Sequence, residues 1–460
     1  MKSLNLHEIL PGINGVVVRM GPAPVLNKVI TQKKKLQKGS LFFCLDRNLK
    51  ETDCGEAFPS CVIISDRVEK LKNITGEATI VKVKNIKRAY KSFLQFYRSL
   101  FDIPVIAITG TSGKTTTKEM IRHILSSRYK VKATLGNYNL FRSNASVLAN
   151  IEEDTDYAVF EFGIGKSGNL EKCGRYFGPY SALITGIGAD HIERFGTSER
   201  YVEEKLKILT GVGEGGIAFL NADCPHTSQA LKTLDTLKPV WFGLGDAADY
   251  KAEAILFSTN RMAFTLRHKE RSYPVIIPGY GIHNVYNSLA AIAATHTHGI
   301  DIQAAIDRLK SFRHVRRHLE VKKGLNGSTL IDDTWNTNTS SVQAALSVLK
   351  EISKGRQSIA VLGKISELGK EEKTEHKKIA DMVIKSQPSV LITIGETAAT
   401  IGNEALRLGM DPGKIHLCRQ PEEALELLKG MAGPRSVILV KTSMRESFRK
   451  LLKNIKDKGQ

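Results

Sequence analysis

Over residues 1–85, short apolar runs rich in β-branched and aromatic side chains are separated by polar turns. The clearest are Val16-Val17-Val18, Leu41-Phe42-Phe43-Cys44-Leu45 and Cys61-Val62-Ile63-Ile64. Runs of this length predict strands of a small α/β unit. Across 89–101 the period changes: Tyr90, Phe93, Leu94, Tyr97 and Leu100 fall at helical spacing and predict a helix linking this unit to the next. From Pro104 onward strand-like and helix-like stretches alternate. Strands are expected at 105–109, 157–161, 182–185 and 216–221, and helices at 118–126 and 200–209, the order of a parallel α/β sheet. The pattern restarts near Arg313, with strands expected at 358–362, 389–394 and 436–440 between amphipathic helices. Gly363 and Gly395 follow two of these strands, where an open parallel sheet commonly meets a ligand.

The expected fold class is therefore α/β in three domains. These are a small α/β N-terminal domain (1–87), a central parallel-sheet domain (88–312) and a C-terminal Rossmann-like domain (313–460). A chain of 460 residues is too long for one ordinary core, which agrees with this division. With 42% hydrophobic and 25% charged residues, the composition is that of a globular protein. No segment reaches the roughly 18 unbroken apolar residues of a membrane span. The stretch after Lys2 is interrupted by His7, Glu8, Pro11 and Gly12 before a signal-peptide core can form, so a cytoplasmic location is expected. The six cysteines form no C-x-x-C pair, which leaves no readable zinc or redox motif. The formal charge of +20 is spread along the chain without interleaved aromatics, so no nucleic-acid partner is expected. Nucleotide phosphates and an anionic substrate are sufficient reasons for a basic surface.

The sharpest chemical signal is the apolar run Val105-Ile106-Ala107-Ile108-Thr109 passing into Gly110-Thr111-Ser112-Gly113-Lys114-Thr115-Thr116 and then a helix-like stretch. Backbone N–H groups freed by Gly110 and Gly113 can cradle phosphate, Lys114 can reach β and γ oxygens, and the Thr115 hydroxyl can face Mg²⁺. The generic P-loop pattern is not strictly met, because Ile108 stands where its first glycine belongs. The central domain is accordingly expected to be a P-loop ATPase-type unit.

This loop, with Thr117-Lys118-Glu119-Met120 after it, resembles the ATP loop of the Mur ligases, and further motifs in family order extend the likeness over roughly residues 104–450. Gly136-Asn137-Tyr138-Asn139 resembles the G-N-x-N stretch near the reacting groups. Glu161 and His191 match metal-site residues, and Lys205 matches the lysine that several members carry as a carbamate. Gly281-Ile282-His283-Asn284-Val285-Tyr286-Asn287 matches the adenine segment, where Asn284 and Asn287 lie on one helix face and can read a donor and acceptor edge. Ile331-Asp332-Asp333-Thr334-Trp335-Asn336-Thr337-Asn338 resembles the opening of the third domain, so Asp333 and Asn336 are expected to face the nucleotide or the reacting carboxylate. Val361-Leu362-Gly363 with Glu367-Leu368-Gly369, and Val440-Lys441-Thr442-Ser443, complete the series. Departures are equally plain. Gln32-Lys33-Lys34 stands where a D-S-R element helps hold uridine nucleotide, and His318 stands where an arginine approaches the γ-phosphate, with Arg316 and Arg317 beside it. Lys364, Leu140 and Thr339 replace an acid, an asparagine and a proline.

The resemblance implies an ATP-dependent, ADP-forming carboxylate–amine ligase working through an acyl phosphate. Its substrates would be a UDP-sugar peptide or another carboxylate and an amine such as a dipeptide. The likeness is strongest to the branch adding D-alanyl-D-alanine to a UDP-muramoyl tripeptide in peptidoglycan precursor synthesis. It implies ATP with two Mg²⁺ sites, held by Thr115, Glu161, His191 and carbamylated Lys205, and a monomeric enzyme. Lys114, Lys205, His191, Arg317 and His318 are the expected catalytic residues, with nucleotide held by 110–116, His283, Asn284, Asn287, Asp333 and Asn336. Three alternatives stand beside it: a paralogue joining another carboxylate and amine, a P-loop NTPase switch, and a non-catalytic nucleotide-binding scaffold. Ligated product separates the first from the others, and ATP turnover without any carboxylate marks the second.

Overall fold

The computed structural model describes residues 1–22, 25–45, 57–71, 75–188, 192–233, 236–258, 261–313, 317–366, 368–443, 446 and 448–456. Three large sheets follow one another along the chain. The first has five strands in the order Val16–Arg19, Thr79–Lys82, Val62–Ser65, Ser40–Phe43, Lys28–Ile30, parallel except for the Val16–Arg19 edge. Its inner strands, Ser40–Phe43 and Val62–Ser65, are buried along their whole length, as expected of a parallel sheet covered on both faces.

The expected linking helix spans Ile86–Ser99 and starts three residues earlier than the apolar period, because the Asn85 side chain accepts a hydrogen bond from the Arg88 N–H and caps it. Its buried face, Tyr90, Phe93, Leu94 and Tyr97, packs on Phe43 of the first sheet, with Phe43–Tyr90 ring centroids 5.0 Å apart. The same apolar cluster continues into Val105, Ala107 and Phe160 of the second sheet, so the helix joins two sheets through one core. Tyr97 closes the seam: its hydroxyl donates to the Ile151 carbonyl at 2.6 Å and accepts from the Lys2 N–H at 2.7 Å. Tyr97→Phe removes both bonds from a buried position, and a stability loss of about 1–3 kcal/mol is expected by urea denaturation.

The second sheet has nine strands. Seven lie parallel in the order Tyr250–Ser258, Lys238–Gly243, Ile217–Asn221, Ser181–Ile184, Val105–Thr109, Tyr157–Glu161, Val131–Ala133. The antiparallel extension of Arg261–His268 and Arg271–Pro278 was outside the predicted pattern. Its signal is a period-two alternation, with Met262, Phe264 and Leu266 buried and their neighbours facing outward. The helix Ile282–Thr297 packs against the helix Lys114–Leu125 and the adjoining strands of this sheet, and contributes a long run of buried residues to the same core.

The third sheet orders Glu320–Lys323, Thr329–Asp333, Ser436–Lys441, Gln357–Leu362, Val390–Ile394, Ile415–Cys418, antiparallel only at its first pair. Among the described residues, no helix is long and apolar enough to cross a membrane.

Candidate active site

The carboxyl ends of the middle and third sheets face each other across a cleft of about 540 Å³. Val105–Thr109 is wholly buried and ends in the turn that feeds the helix Lys114–Leu125. Ile108, at the position of the first glycine of the generic pattern, belongs to that strand core. Gly113 has φ +84° and a Cβ there would lie 2.3 Å from Asn287 Oδ1, so the turn requires glycine on both backbone and spatial grounds. The loop is also tied sideways: the Thr111 N–H donates to the Gly186 carbonyl at 2.8 Å, and the Gly188 N–H donates to Thr111 Oγ1 at 2.9 Å.

Lys114 Nζ donates to the Gly110 and Thr111 carbonyls, each at 2.9 Å. The Thr115 hydroxyl donates to Glu161 Oε2 at 2.8 Å, while Asn139 Nδ2 donates to Glu161 Oε1 at 2.8 Å. Glu161 is 1% exposed, so its carboxylate is both buried and aimed. Asn144 Nδ2 donates to the Glu161 carbonyl and accepts at Oδ1 from the Thr134 hydroxyl, which fixes the end of that strand. Lys118, also buried, donates to the carbonyls of Thr134 and Gly136 and so holds the segment that presents Asn139.

The helix Ser198–Leu206, capped by Thr197, brings Lys205 to the same point. Its Nζ donates to the Gly110 carbonyl at 2.8 Å and to Thr109 Oγ1 at 3.3 Å, and lies 5.4 Å from the centre of the Tyr201 ring. Lys207, two residues on, instead pairs with Glu204 at 2.5 Å. Only Lys205 of these two lines the cleft.

The glycine before the helix Ile282–Thr297 is again forced, since a Cβ on Gly281 would meet the His283 ring at 2.5 Å. His283, Asn284 and Asn287 line the cleft. Asn284 Nδ2 donates to the Tyr280 carbonyl at 2.7 Å, and Asn287 Oδ1 accepts from the Thr117 hydroxyl at 3.2 Å. Tyr286 donates to Asp223 Oδ2 at 2.8 Å; burial and that carboxylate push its phenol well above the usual tyrosine range.

From the third sheet come Asp333, Trp335 and Asn336, with His318 tilted against Trp335 at a centroid distance of 6.3 Å. Asp333 pairs with buried Lys441 at 3.0 Å, and Lys441 also donates to the Asn336 carbonyl. The Asn338 amide meets Ser112 Oγ at 3.1 Å, a direct bond between the third sheet unit and the phosphate loop.

Most of the expected residues thus converge: Gly113, Lys114, Thr115, Glu161, Lys205, Asn287, His318, Asp333 and Asn336 all line one cleft. Arg317 does not join them; its backbone takes φ +63° and its N–H donates to Glu320 Oε2, while His318 and Leu319 of the same segment line the cleft. His191, Arg316 and Glu367 lie outside the described residues. Arg194, Lys441 and Asn338 were not foreseen as site residues, although Arg194 and Lys441 line the cleft and Asn338 touches its loop. Lys441 and Asn338 sat inside quoted motifs; Arg194 followed one, and only the fold turns its helix Ile192–Phe195 to the cleft. Among the described residues, no three acidic, histidine or cysteine side chains cluster as a ready-made metal cage.

The comparisons agree with this geometry. A model of the Mur ligase middle domain matches residues 108–295, and one of the Mur ligase glutamate ligase domain matches 316–444. The UDP-N-acetylmuramoyl-tripeptide–D-alanyl-D-alanine ligase of Bacillus subtilis (strain 168) is 28% identical over 435 residues, 94% of this chain and 93% of the relative. The enzyme of the same name from Escherichia coli (strain K12) is 28% identical over 414 residues, covering 87% and 88%. In fold, the chain is similar to MurF from Acinetobacter baumannii, with a TM-score of 0.86, 22% identity and 98% of each chain covered. It is also similar to MurF ligase from Thermotoga maritima in complex with ADP, with a TM-score of 0.76, 20% identity, and 93% of this chain and 96% of that one covered. With both domain models matched in order and relatives aligned over nearly its whole length, this chain belongs to the Mur ligase family.

Proposed function

We propose that this chain joins D-alanyl-D-alanine to a UDP-N-acetylmuramoyl tripeptide, consuming ATP and releasing ADP and phosphate, as a step in peptidoglycan precursor synthesis. The observation that carries the reading is a phosphate loop, a buried carboxylate and a third-domain ion pair gathered in one cleft, in a chain that aligns over most of its length with enzymes of that name. A substrate carboxylate oxygen attacks the γ-phosphorus, the bond to the β-phosphate oxygen breaks, and ADP leaves. The amine nitrogen then attacks the acyl carbon and loses a proton, and phosphate departs with the bonding electron pair to leave an amide.

Negative charge gathers on the transferring group, so the protein's task is positioning and neutralisation. Lys114 on the loop and Arg194 at the cleft wall supply positive charge in this reading, with the His318 ring lining the same cleft. Asp333 and Lys441 orient the segment that meets the phosphates. The donor chemistry suits a hard cation: Thr115 Oγ1 and Glu161 lie 2.8 Å apart and are both oxygen ligands of the kind Mg²⁺ takes. Mg²⁺ bound there would neutralise phosphate oxygens. Carbamylation of Lys205 would replace a cation crowded against Lys114 with a carboxylate, giving a second oxygen site, to which His191 is assigned by motif alone. Acyl phosphates hydrolyse readily, and the seam between the middle and third sheets is where water must be excluded.

The test is phosphate release from Mg²⁺-ATP with UDP-muramoyl tripeptide and D-alanyl-D-alanine, read beside other carboxylates and amines, with mass spectrometry of products. Pentapeptide formed only with the muramoyl pair is the expected result. A product from a different pair alone would move the chain to another branch of the family, which the altered 32–34 segment makes the second reading. ATP turnover without any ligated product would remove the ligase assignment.

A further inference from the structure

The helix Glu372–Ser386 contributes nothing to the lining of the cleft, yet two adjacent buried residues on it hold two of the segments by which the third sheet unit touches the middle one. His376 is 0% exposed. Its Nε2 faces the Ile365 N–H at 3.1 Å and its Nδ1 faces the Glu372 carbonyl at 2.7 Å. A backbone N–H can only donate and a carbonyl can only accept, so the ring must be neutral with its proton on Nδ1. Ile365 is buried, as is Leu368, which directly precedes Gly369. Gly369 abuts the middle unit: a Cβ there would lie 3.1 Å from Glu193 Cα, in the helix whose next residue, Arg194, lines the cleft.

Glu375 holds the second segment. It is 2% exposed, accepts from the Thr339 hydroxyl, and pairs with Lys378 at 2.5 Å. Thr339 follows Asn338, whose amide meets Ser112 in the phosphate loop. Two neighbouring side chains thereby reach the nucleotide site along separate routes, one through 365–369 to Arg194 and one through 338–339 to Ser112.

We infer that Glu375 and His376 are a positioning pair that seats the third sheet unit on the phosphate loop and on the Arg194 helix, setting the closed cleft in which phosphoryl transfer occurs. The charged groups around the imidazole are Glu372 and Glu375 on its own helix and Lys364 on the loop, whose backbone N–H is held by Glu446 at 3.0 Å. Burial keeps the imidazole below the usual histidine range, in agreement with the neutral ring that both bonds demand. Its contribution is complete above the ordinary histidine pKa. It is lost as pH falls through the lowered folded value, because an Nε2–H would confront the Ile365 N–H.

The kinetic arm of the test rests on the ligase reading above; the exchange arm does not. His376→Leu removes both ring bonds, Glu375→Ala removes the Thr339 bond, and His376→Gln keeps an acceptor for Ile365 and a donor for Glu372. In full-length protein, His376→Leu is expected to speed amide hydrogen exchange about tenfold or more at 365–369 and also at 192–195, across the seam. Both His376→Leu and Glu375→Ala are expected to lower kcat about tenfold or more while the Kd for ATP alone stays within about twofold, and His376→Gln is expected to recover most of the loss. Unchanged exchange at 192–195 in folded His376→Leu would overturn the inference, as would a kcat equal to wild type. If the wild-type chain forms no ligated product, the ligase reading fails and the exchange result alone decides this one.

Discussion

Lys114→Ala is expected to lower kcat by about 10²–10³-fold, a loss of roughly 3–4 kcal/mol of transition-state stabilisation, with a smaller effect on ATP affinity. The ammonium is tied to two loop carbonyls at 2.9 Å and so stands in the phosphate cradle before any substrate arrives. Charge migrates onto the bridging and leaving oxygens during transfer, so a cation held there contributes more to the transition state than to the ground state. Lys114→Arg is expected to fail nearly as badly, because a planar guanidinium cannot replace a compact point charge in a turn whose Gly113 is already closed against Asn287. Initial rates over an ATP titration, beside a melting curve, check this. A parallel fall in kcat and in folded fraction would assign Lys114 to stability instead.

The second large effect is expected at Lys205. Lys205→Ala should reduce kcat by about 10–100-fold or more, the range seen when support for a metal site is removed, and short carboxylic acids should restore part of the rate. Rescue is the discriminating observation. If Lys205 acts only as an ammonium on the Gly110 carbonyl, an added carboxylate has nothing to replace and the rate stays low. If it acts as a carbamate, a small acid supplies the missing oxygens, and bicarbonate dependence of the wild-type rate should accompany it. Lys207→Ala is the internal control: its ammonium pairs with Glu204, whose carboxylate is also held by Ser167 and the Gly168 N–H, and it does not line the cleft, so little change in rate is expected.

The parts of the fold legible in the sequence are those in which local periodicity and burial agree. Val105–Thr109, Val62–Ser65 and Ser436–Lys441 are short apolar runs because parallel strands are covered on both faces, and they stand out as such. The 261–278 hairpin escaped because one of its faces is wet, which leaves Met262, Phe264 and Leu266 diluted among polar neighbours. Helix ends were misplaced by a few residues for a local reason: caps such as Asn85 and the glycine turn at Gly113 decide them, and hydrophobic spacing does not register caps.

The chemistry divides along the same line. Sequence alone determined the phosphate loop, because its function depends on residues consecutive in the chain: two glycines, a lysine and a hydroxyl at a strand-to-helix turn. It also named Glu161, Lys205, Asn287 and Asp333 as candidates, since each sits in a motif. It named Lys205 by its place in a motif, but it could not choose between Arg317 and His318, because neighbours in a turn point in different directions and only packing selects which one faces inward. Tertiary structure alone joined Asn338 to Ser112 across 226 positions of chain, brought Arg194 to the cleft, and placed Glu375 and His376 behind both contacts. The physical reason is that these are contacts of single polar atoms, which leave no periodic trace in the amino-acid order and exist only once the sheets and helices have packed together.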